Sequence, residues 1–369
     1  MANTDSPPVP KLFKRLTDLD AAWKTRQAGD RLDAVRKGAR ALNETIKASG
    51  TVVSVTTFDI SSLPYPALFG LMGADKGIAP HVIMKNRMQL VQVDAGGRLV
   101  NILVNPTDPE RAQAAPFIAK QLASYPELLN KVLKRQLIHS SVEASLRSAG
   151  VAPEDIDYIT FDHLHVQDVR GLLGTAEIPA LLPNARLIAQ SAELALFENM
   201  HPMHHYWYVR DCITGIAKDK FITIDGDYAI GGGFALVRTP GHTDGNHSPA
   251  INTDTGVWTV SENGIAAECY APEHSRNNKL RRFARHYEVE VILNGNTREN
   301  THDQYTSMVL EKTLADPSAL RPEFPQTFPS SELQHSALAP GIKPTFQHGA
   351  ITHGTVQQKA SYSARQTAA

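Results

Sequence analysis

The feature that most constrains this chain is an apolar run at residues 156–161 (IDYITF) that leads straight into Asp162-His163-Leu164-His165. A short run of Ile, Tyr, Thr and Phe reads as a buried strand. Residues two apart on an extended chain point the same way, so His163 and His165 share a side just beyond the strand's carboxyl end. In an α/β fold that end is where ligands bind. The chain holds 15 histidines, so an HxH pair is nearly expected by chance, and its position carries more weight than its spelling.

A second motif is 237-VRTPGHTDGNH-247. The strand FALVRT stops at Pro240-Gly241, and His242 stands in the tight turn. Proline fixes such a turn and glycine permits a φ that other residues resist, so His242 is presented rigidly. Together His163, His165 and His242 supply three neutral imidazoles. That set suits zinc with a fourth position open for water.

The surrounding chain divides into three stretches. Residues 1–50 read as a helical N-terminal arm, with Leu12, Leu16, Leu19 and Trp23 on one helical face and Leu32, Val35, Ala39, Leu42 and Ile46 on another. Residues 51–315 form the main domain. It starts with β-branched runs that turn at Gly96-Gly97, is mainly helical over 108–139, and later alternates strands with helices. The alternation includes a strand in EVEVILNG before a helix at HDQYTSMVLEKTL. Residues 316–369 form an extended tail broken by Pro322, Pro325, Pro329, Pro340 and Pro344. The arm is expected to pack on its own domain and the tail to wrap the domain or a partner, with a homodimer contact through the arm or tail as the alternative.

Composition excludes several classes. A net charge of −1 gives no general grip on nucleic acid or an anionic membrane. No apolar run approaches bilayer length, and the opening MANTDSPPVPKLF lacks the apolar core of a secretory signal. Cys212 and Cys269 are too few for a disulfide scaffold or a thiolate cage. A cytoplasmic protein acting on a small molecule is expected. There is no G-x-S-x-G elbow and no G-x-G-x-x-G after a strand, so neither a serine hydrolase nor a dinucleotide-binding fold has an anchor.

A strand ending in HxH, a later TPGHT turn and further strand-end motifs together resemble the metallo-β-lactamase superfamily over roughly residues 51–315. The resemblance implies an α/β (α+β) fold: a four-layer αββα sandwich with metal at the strand ends between its two sheets. The departures matter as much. Where the family has HxHxDH, this chain reads His163-Leu164-His165-Val166-Gln167-Asp168. The family's later metal-bridging aspartate corresponds to Glu262 or Asn263, and its last histidine to Asn296. The first metal position is therefore intact, while Gln167 and Asn296 are neutral amides and poor zinc ligands. One zinc is expected rather than two. Asn263, or His302 reaching back from the start of the last helix, is the candidate for completing the site.

The expected function is a metallo-hydrolase whose metal-bound hydroxide attacks a small ester, lactone or amide. Asp168 is expected to orient or deprotonate that water, with Asp162 the second candidate. No Arg/Lys cluster accompanies the motifs, which favours a neutral substrate, although Arg170 and Arg298 stand near them. The cluster 201-HPMHHYWY-208 reads as a loop or lid beside the cleft. Two rival functions are a catalytically silent binding or scaffold protein, argued by the altered motif positions, and an iron-dependent redox variant of the fold.

Overall fold

Strands whose residues are apolar on both faces need cover on both faces. The sequence LVNILV at Leu99–Val104 is such a strand, and all six residues are buried. Val100, Ile102 and Val104 point into one apolar cluster, whereas Leu103 points into another. That alternation repeats through the molecule and generates its layers.

The computed structural model describes residues 8–123, 137–296, 300–337 and 340–362. One sheet runs in the order β1 (Phe13–Leu16), β8 (Asp227–Ile230), β9 (Phe234–Arg238), β10 (His247–Thr253), β11 (Gly256–Ser261) and β12 (Thr327–Pro329). The other runs β14 (His353–Gly354), β2 (Ser54–Pro66), β3 (His81–Asp94), β4 (Leu99–Val104), β5 (Tyr158–Thr160), β6 (Arg186–Gln190) and β7 (Phe221–Ile224). A further strand, β13 (Ser331–Gln334), pairs with β3.

Val91, Ile102, Tyr158 and Ile188 from the second sheet meet Phe234, Leu236, Ile251 and Val260 from the first in a core between the two. On the first sheet's outer face, Ala235, Val237 and Val257 pack against Val35 and Leu42 of the helix Ala28–Ala48 and Leu310 and Leu314 of the helix Thr301–Leu314. On the second sheet's outer face, Leu90, Leu103, Ile159 and Leu187 pack against Phe117, Leu146 and Leu172. The order is helix, sheet, sheet, helix: the four-layer αββα sandwich.

Several expectations need correction. Leu12, Leu16, Leu19 and Trp23 do not form one helical face, because Phe13–Leu16 extends to pair with β8 and only Asp20–Trp23 is helical. Phe13 packs edge-on against Tyr158 at 5.3 Å, so sheet burial overrides the helical spacing. The EVEVILNG stretch forms no strand; residues 289–294 run as irregular chain, with Ile292 N donating to Cys269 O. The tail supplies β12 to one sheet and β13 and β14 to the other. Thus arm and tail both pack on their own chain. Residues 124–136 of the expected helical stretch, and Arg298, lie outside the described residues. Among the described residues, no helix is long and apolar enough to cross a membrane.

Candidate metal centre

Strand β5 lies between β4 and β6 and is parallel to both, so its carboxyl end opens at one rim of the sandwich. The chain leaves β5 through Phe161 and Asp162 into His163-Leu164-His165. From the facing sheet, β9 ends at Arg238 and the 239–243 turn carries His242 toward the same rim. All three histidines are at least 95% buried. Their ring centroids lie 4.5 Å (163–165), 4.5 Å (163–242) and 5.1 Å (165–242) apart. One ring nitrogen from each comes within 4.8 Å of the others.

The donors fit an ion. Both ring nitrogens of His165 are buried and make no hydrogen bond. Buried polar atoms are nearly always satisfied, so such a pair marks a place where a ligand belongs.

Local chemistry fixes the segments that carry these histidines. Val166 adopts φ +56°, a left-handed conformation that a β-branched residue takes only under constraint, and its N–H donates to Trp207 O at 2.8 Å. Gly241 sits at φ +126°, and a Cβ there would stand 2.0 Å from Gln304 N. Ser307 Oγ donates to Pro240 O at 2.7 Å, pinning the same turn to the helix Thr301–Leu314. Behind His242, Gln304 Nε2 donates to the Asn294 carbonyl at 2.8 Å, and Asn294 also hydrogen-bonds His242.

One buried carboxylate ties these segments together. Glu193, in the short helix after β6, accepts from Leu164 N at 2.8 Å, Tyr208 Oη at 3.0 Å and Thr243 Oγ1 at 2.7 Å. Sequence reasoning missed Glu193, and also Gln304, Ser307 and Glu311. The last three share one face of the helix Thr301–Leu314, and their polar side chains by themselves gave no sign of burial. Glu311 accepts from Ser248, Ser261, Asn263 and Tyr270 beneath the rim. The one available signal was polar residues at helical spacing on the face that a core-packed helix must bury.

The charges are uneven. Burial opposes a proton on His163, but Asp162 Oδ1 lies 3.4 Å from its Nδ1 and outweighs that, raising its pKa to about 9. Burial and the neighbouring histidines push His165 and His242 well below their ordinary value, so both are neutral. Neutral imidazole is the form that binds metal.

The other sequence candidates divide. Asp162 sits against His163, and its Oδ2 is buried without a hydrogen bond. Glu262 joins them: Asp162, His163 and Glu262 also bring ligand atoms within 4.8 Å of one another. Asp168, expected to orient a water, instead gives both oxygens to Arg170, at 2.9 and 2.6 Å, and faces Arg111 at 3.7 Å. A buried carboxylate beside two guanidiniums takes the ion pair, which turns it from the triad. Asn263 is buried and donates Nδ2 to Glu311 at 2.7 Å. His302 is exposed on the first turn of its helix and does not reach back to the histidines. His201 and His204 lie 6.0 Å apart and belong to no metal-capable group among the described residues, but Trp207 from that segment lines the cleft.

The cleft is a cavity of about 140 Å³ with His163, His165 and Glu262 among its lining residues. Leu63, Phe117, Ile118 and Trp207 contribute apolar wall, and Tyr65, Gln167, Asn294 and Asn296 contribute neutral polar groups. Tyr65 Oη donates to Asn294 Oδ1 at 2.7 Å. Burial and nearby Glu262 raise the Tyr65 pKa well above its usual value, so it keeps its proton.

No family profile matches the chain. A 124-residue segment is 31% identical to an N-acyl homoserine lactonase of Bacillus sp, covering 34% of this chain and 44% of that protein. The chain thus spans less than half the length of the curated relatives it matches. Among solved structures, a probable metal-dependent hydrolase from Staphylococcus aureus superposes with TM-score 0.48 at 15% identity, covering 71% of this chain and 83% of the other. AidC, a dizinc quorum-quenching lactonase, superposes with TM-score 0.45 at 15% identity, covering 80% and 95%. The helix-flanked pair of sheets is the fold of metallo-β-lactamase-like hydrolases, and the HxH and PGH turns meeting at one rim, with the lactonase-like segment, are what this chain has in common with them.

Proposed function

We propose that the chain is a metal-dependent hydrolase in which His163, His165 and His242 hold one zinc ion and the adjoining cavity takes a small, uncharged ester or lactone with an apolar portion. Three buried imidazoles converging beside an apolar-walled cavity are the observation that carries this reading. The lactonase-like segment supports it.

His165 and His242 are neutral already and His163 would give up its proton to the ion; a zinc held by the three would supply Lewis acidity toward a carbonyl and toward water. The chain's own residues do the rest. Asp162, with Oδ1 3.4 Å from His163 Nδ1, favours a proton on that nitrogen and so leaves the other ring nitrogen for the site. Phe117, Ile118 and Trp207 hold the apolar part of the substrate and exclude bulk water. Gln167, Asn296 and the protonated Tyr65 offer neutral hydrogen-bonding groups, which suit an uncharged substrate. Asp168 acts at a distance, by bracing the ligand loop through Arg170 and Arg111.

A single ion is favoured because the second position offers amides at Gln167 and Asn296, and because Arg170 occupies Asp168. A cytoplasmic setting belongs to the same reading, supported by Cys212 and Cys269, both buried and unpaired with each other.

The test is elemental analysis of the purified full chain, with hydrolysis of a panel of neutral esters and lactones before and after chelation. Stoichiometric zinc and chelator-sensitive turnover are expected. A metal-free chain would support the binding-protein alternative, bound iron with redox activity the redox variant, and two tightly held zinc ions would overturn the single-ion assignment.

A further inference from the structure

The C-terminal segment looks at first like a strap around the sandwich, but it reaches the metal centre. Ser330 N donates to Ser261 O at 3.1 Å and Leu333 N to Ile265 O at 2.7 Å, so the segment brackets residue 262 on both sides. Within that bracket, Ser331 Oγ donates to Glu262 Oε1 at 2.6 Å and Ser330 Oγ to the same oxygen at 3.2 Å. Ser331 also lines the cavity that His163, His165 and Glu262 line.

The segment itself is firmly held. Residues 331–334 pair with Asn86, Lys85, Met84 and Ile83 of β3. The adjacent Arg87–Glu332 ion pair is almost wholly buried, with side-chain exposures of 4% and 0%. These anchors place the two hydroxyls rigidly.

Glu262 needs such support. It is half-buried beside Asp162, a like charge, and stands within ligand distance of His163. Two hydroxyl donors stabilise its charged form and restrict its rotamer. A half-buried carboxylate so placed, next to buried groups, favours a cation beside it by Coulomb attraction.

We propose that the C-terminal segment is a working part of the metal centre: Ser330 and Ser331 position the Glu262 carboxylate beside His163 and thereby set how firmly the ion is held. Both serines are positioning residues that act through Glu262. The inference rests on the triad holding an ion and not on the hydrolase reading.

The test is zinc affinity of the full-length chain by competition with a chromogenic chelator, with no substrate present. Thermal unfolding of each metal-free variant establishes that it folds. Replacing both serines (Ser330→Ala with Ser331→Ala) is expected to weaken zinc binding about 10-fold, the scale on which groups behind metal ligands act. Ser331→Thr, which keeps the hydroxyl, is expected to stay near the parent value. Glu262→Gln is expected to weaken binding at least as much, and adding the serine changes to it should cost little more, because both act through one carboxylate. Unchanged affinity in the folded serine variant would overturn the proposal, as would a serine penalty that adds in full to that of Glu262→Gln. A parent chain that binds no zinc would overturn this inference together with the hydrolase reading. Zinc binding with the serine effect, but without ester or lactone turnover, would bring down the hydrolase reading alone.

Discussion

Gly241 lies so close to Gln304 that a Cβ on the glycine would stand 2.0 Å from the Gln304 backbone nitrogen. The contact locks the turn carrying His242 to the helix Thr301–Leu314, whose Ser307 holds the neighbouring Pro240 carbonyl. Turn and helix are more than fifty residues apart in sequence, so His242 is placed by tertiary packing as much as by its own Pro-Gly pair.

Gly241→Ala should therefore fail twice. Its φ of +126° is strained for alanine, and the added methyl has no room unless turn and helix separate. We expect a loss of about 1–3 kcal/mol in unfolding free energy, together with a fall in bound zinc. Chemical denaturation and metal analysis on the same preparation would check it; a variant with parent-like zinc content would show that the turn tolerates displacement.

The meeting of His163, His165 and His242 was legible because its signals are local. A buried strand ending in HxH and a Pro-Gly turn each say where a side chain points within a few residues. What was not legible depends on distant segments. Glu193 matters because Leu164, Tyr208 and Thr243 all converge on it, and nothing in SAELALFEN announces that. The EVEVILNG stretch has strand-like composition, yet it pairs with no strand and ends as the Asn294–Asn296 wall of the cavity. Asp168 looked by position like the group that orients or deprotonates a water, but the nearness of Arg111, 57 residues earlier, is visible only in the fold. The strand at Phe13–Leu16 and those of the tail went unseen for the same reason, since strand pairing across 200 or more residues leaves no local mark.

His163→Ala and His242→Ala should each reduce bound zinc to background and abolish turnover. Two imidazoles are too few to retain zinc against buffer or chelator. His163→Ala carries an extra penalty, because it leaves Asp162 buried without its partner imidazole. Comparing thermal unfolding of the two metal-free variants would expose that difference, with His163→Ala the less stable. Equal zinc content in either variant and the parent would remove that histidine from the site.

Asp168→Asn should leave zinc in place while lowering stability. Its side chain is only 2% exposed and partners Arg170, which is 25% exposed, so the pair is partly screened. We expect a loss of about 1–3 kcal/mol. A denaturation midpoint with zinc content measured in parallel decides the matter, and loss of zinc without loss of stability would return Asp168 to the ion.

Asp227 gives a pH dependence independent of the metal centre. Burial raises its pKa from 3.8 to about 7, although its Oδ1 accepts from Arg238 N at 2.7 Å. Between those values the folded chain keeps a proton that the unfolded chain has released. This group's contribution to stability is therefore full below pH 3.8 and lost progressively up to about pH 7. Asp227→Asn removes the loss, so the variant should gain on the parent as pH rises through that window, by on the order of 4 kcal/mol at the upper end. Unfolding curves for both proteins at matched pH would show it; a constant difference would mean that Asp227 titrates alike in both states.

The cavity wall makes the substrate reading quantitative. Ile118 lines the cavity and is only partly packed into the core, so truncating it should change binding more than folding. Phe117 and Trp207, whose rings lie 4.9 Å apart, are nearly fully buried and would confound the two effects. Each buried methylene is worth about 0.8 kcal/mol, so losing contact with an isoleucine side chain should cost an apolar substrate about 1–2 kcal/mol, or roughly 5- to 30-fold. A substrate too short to reach the wall should lose nothing. Ile118→Ala is therefore expected to lower kcat/KM for long-chain esters or lactones while sparing short ones, and to leave zinc content unchanged. A series of substrates differing only in chain length, assayed with both proteins, would show the ratio diverging as the chain grows. An equal loss at every length would mean that the substrate does not lie along this wall, and that the apolar cavity serves packing instead.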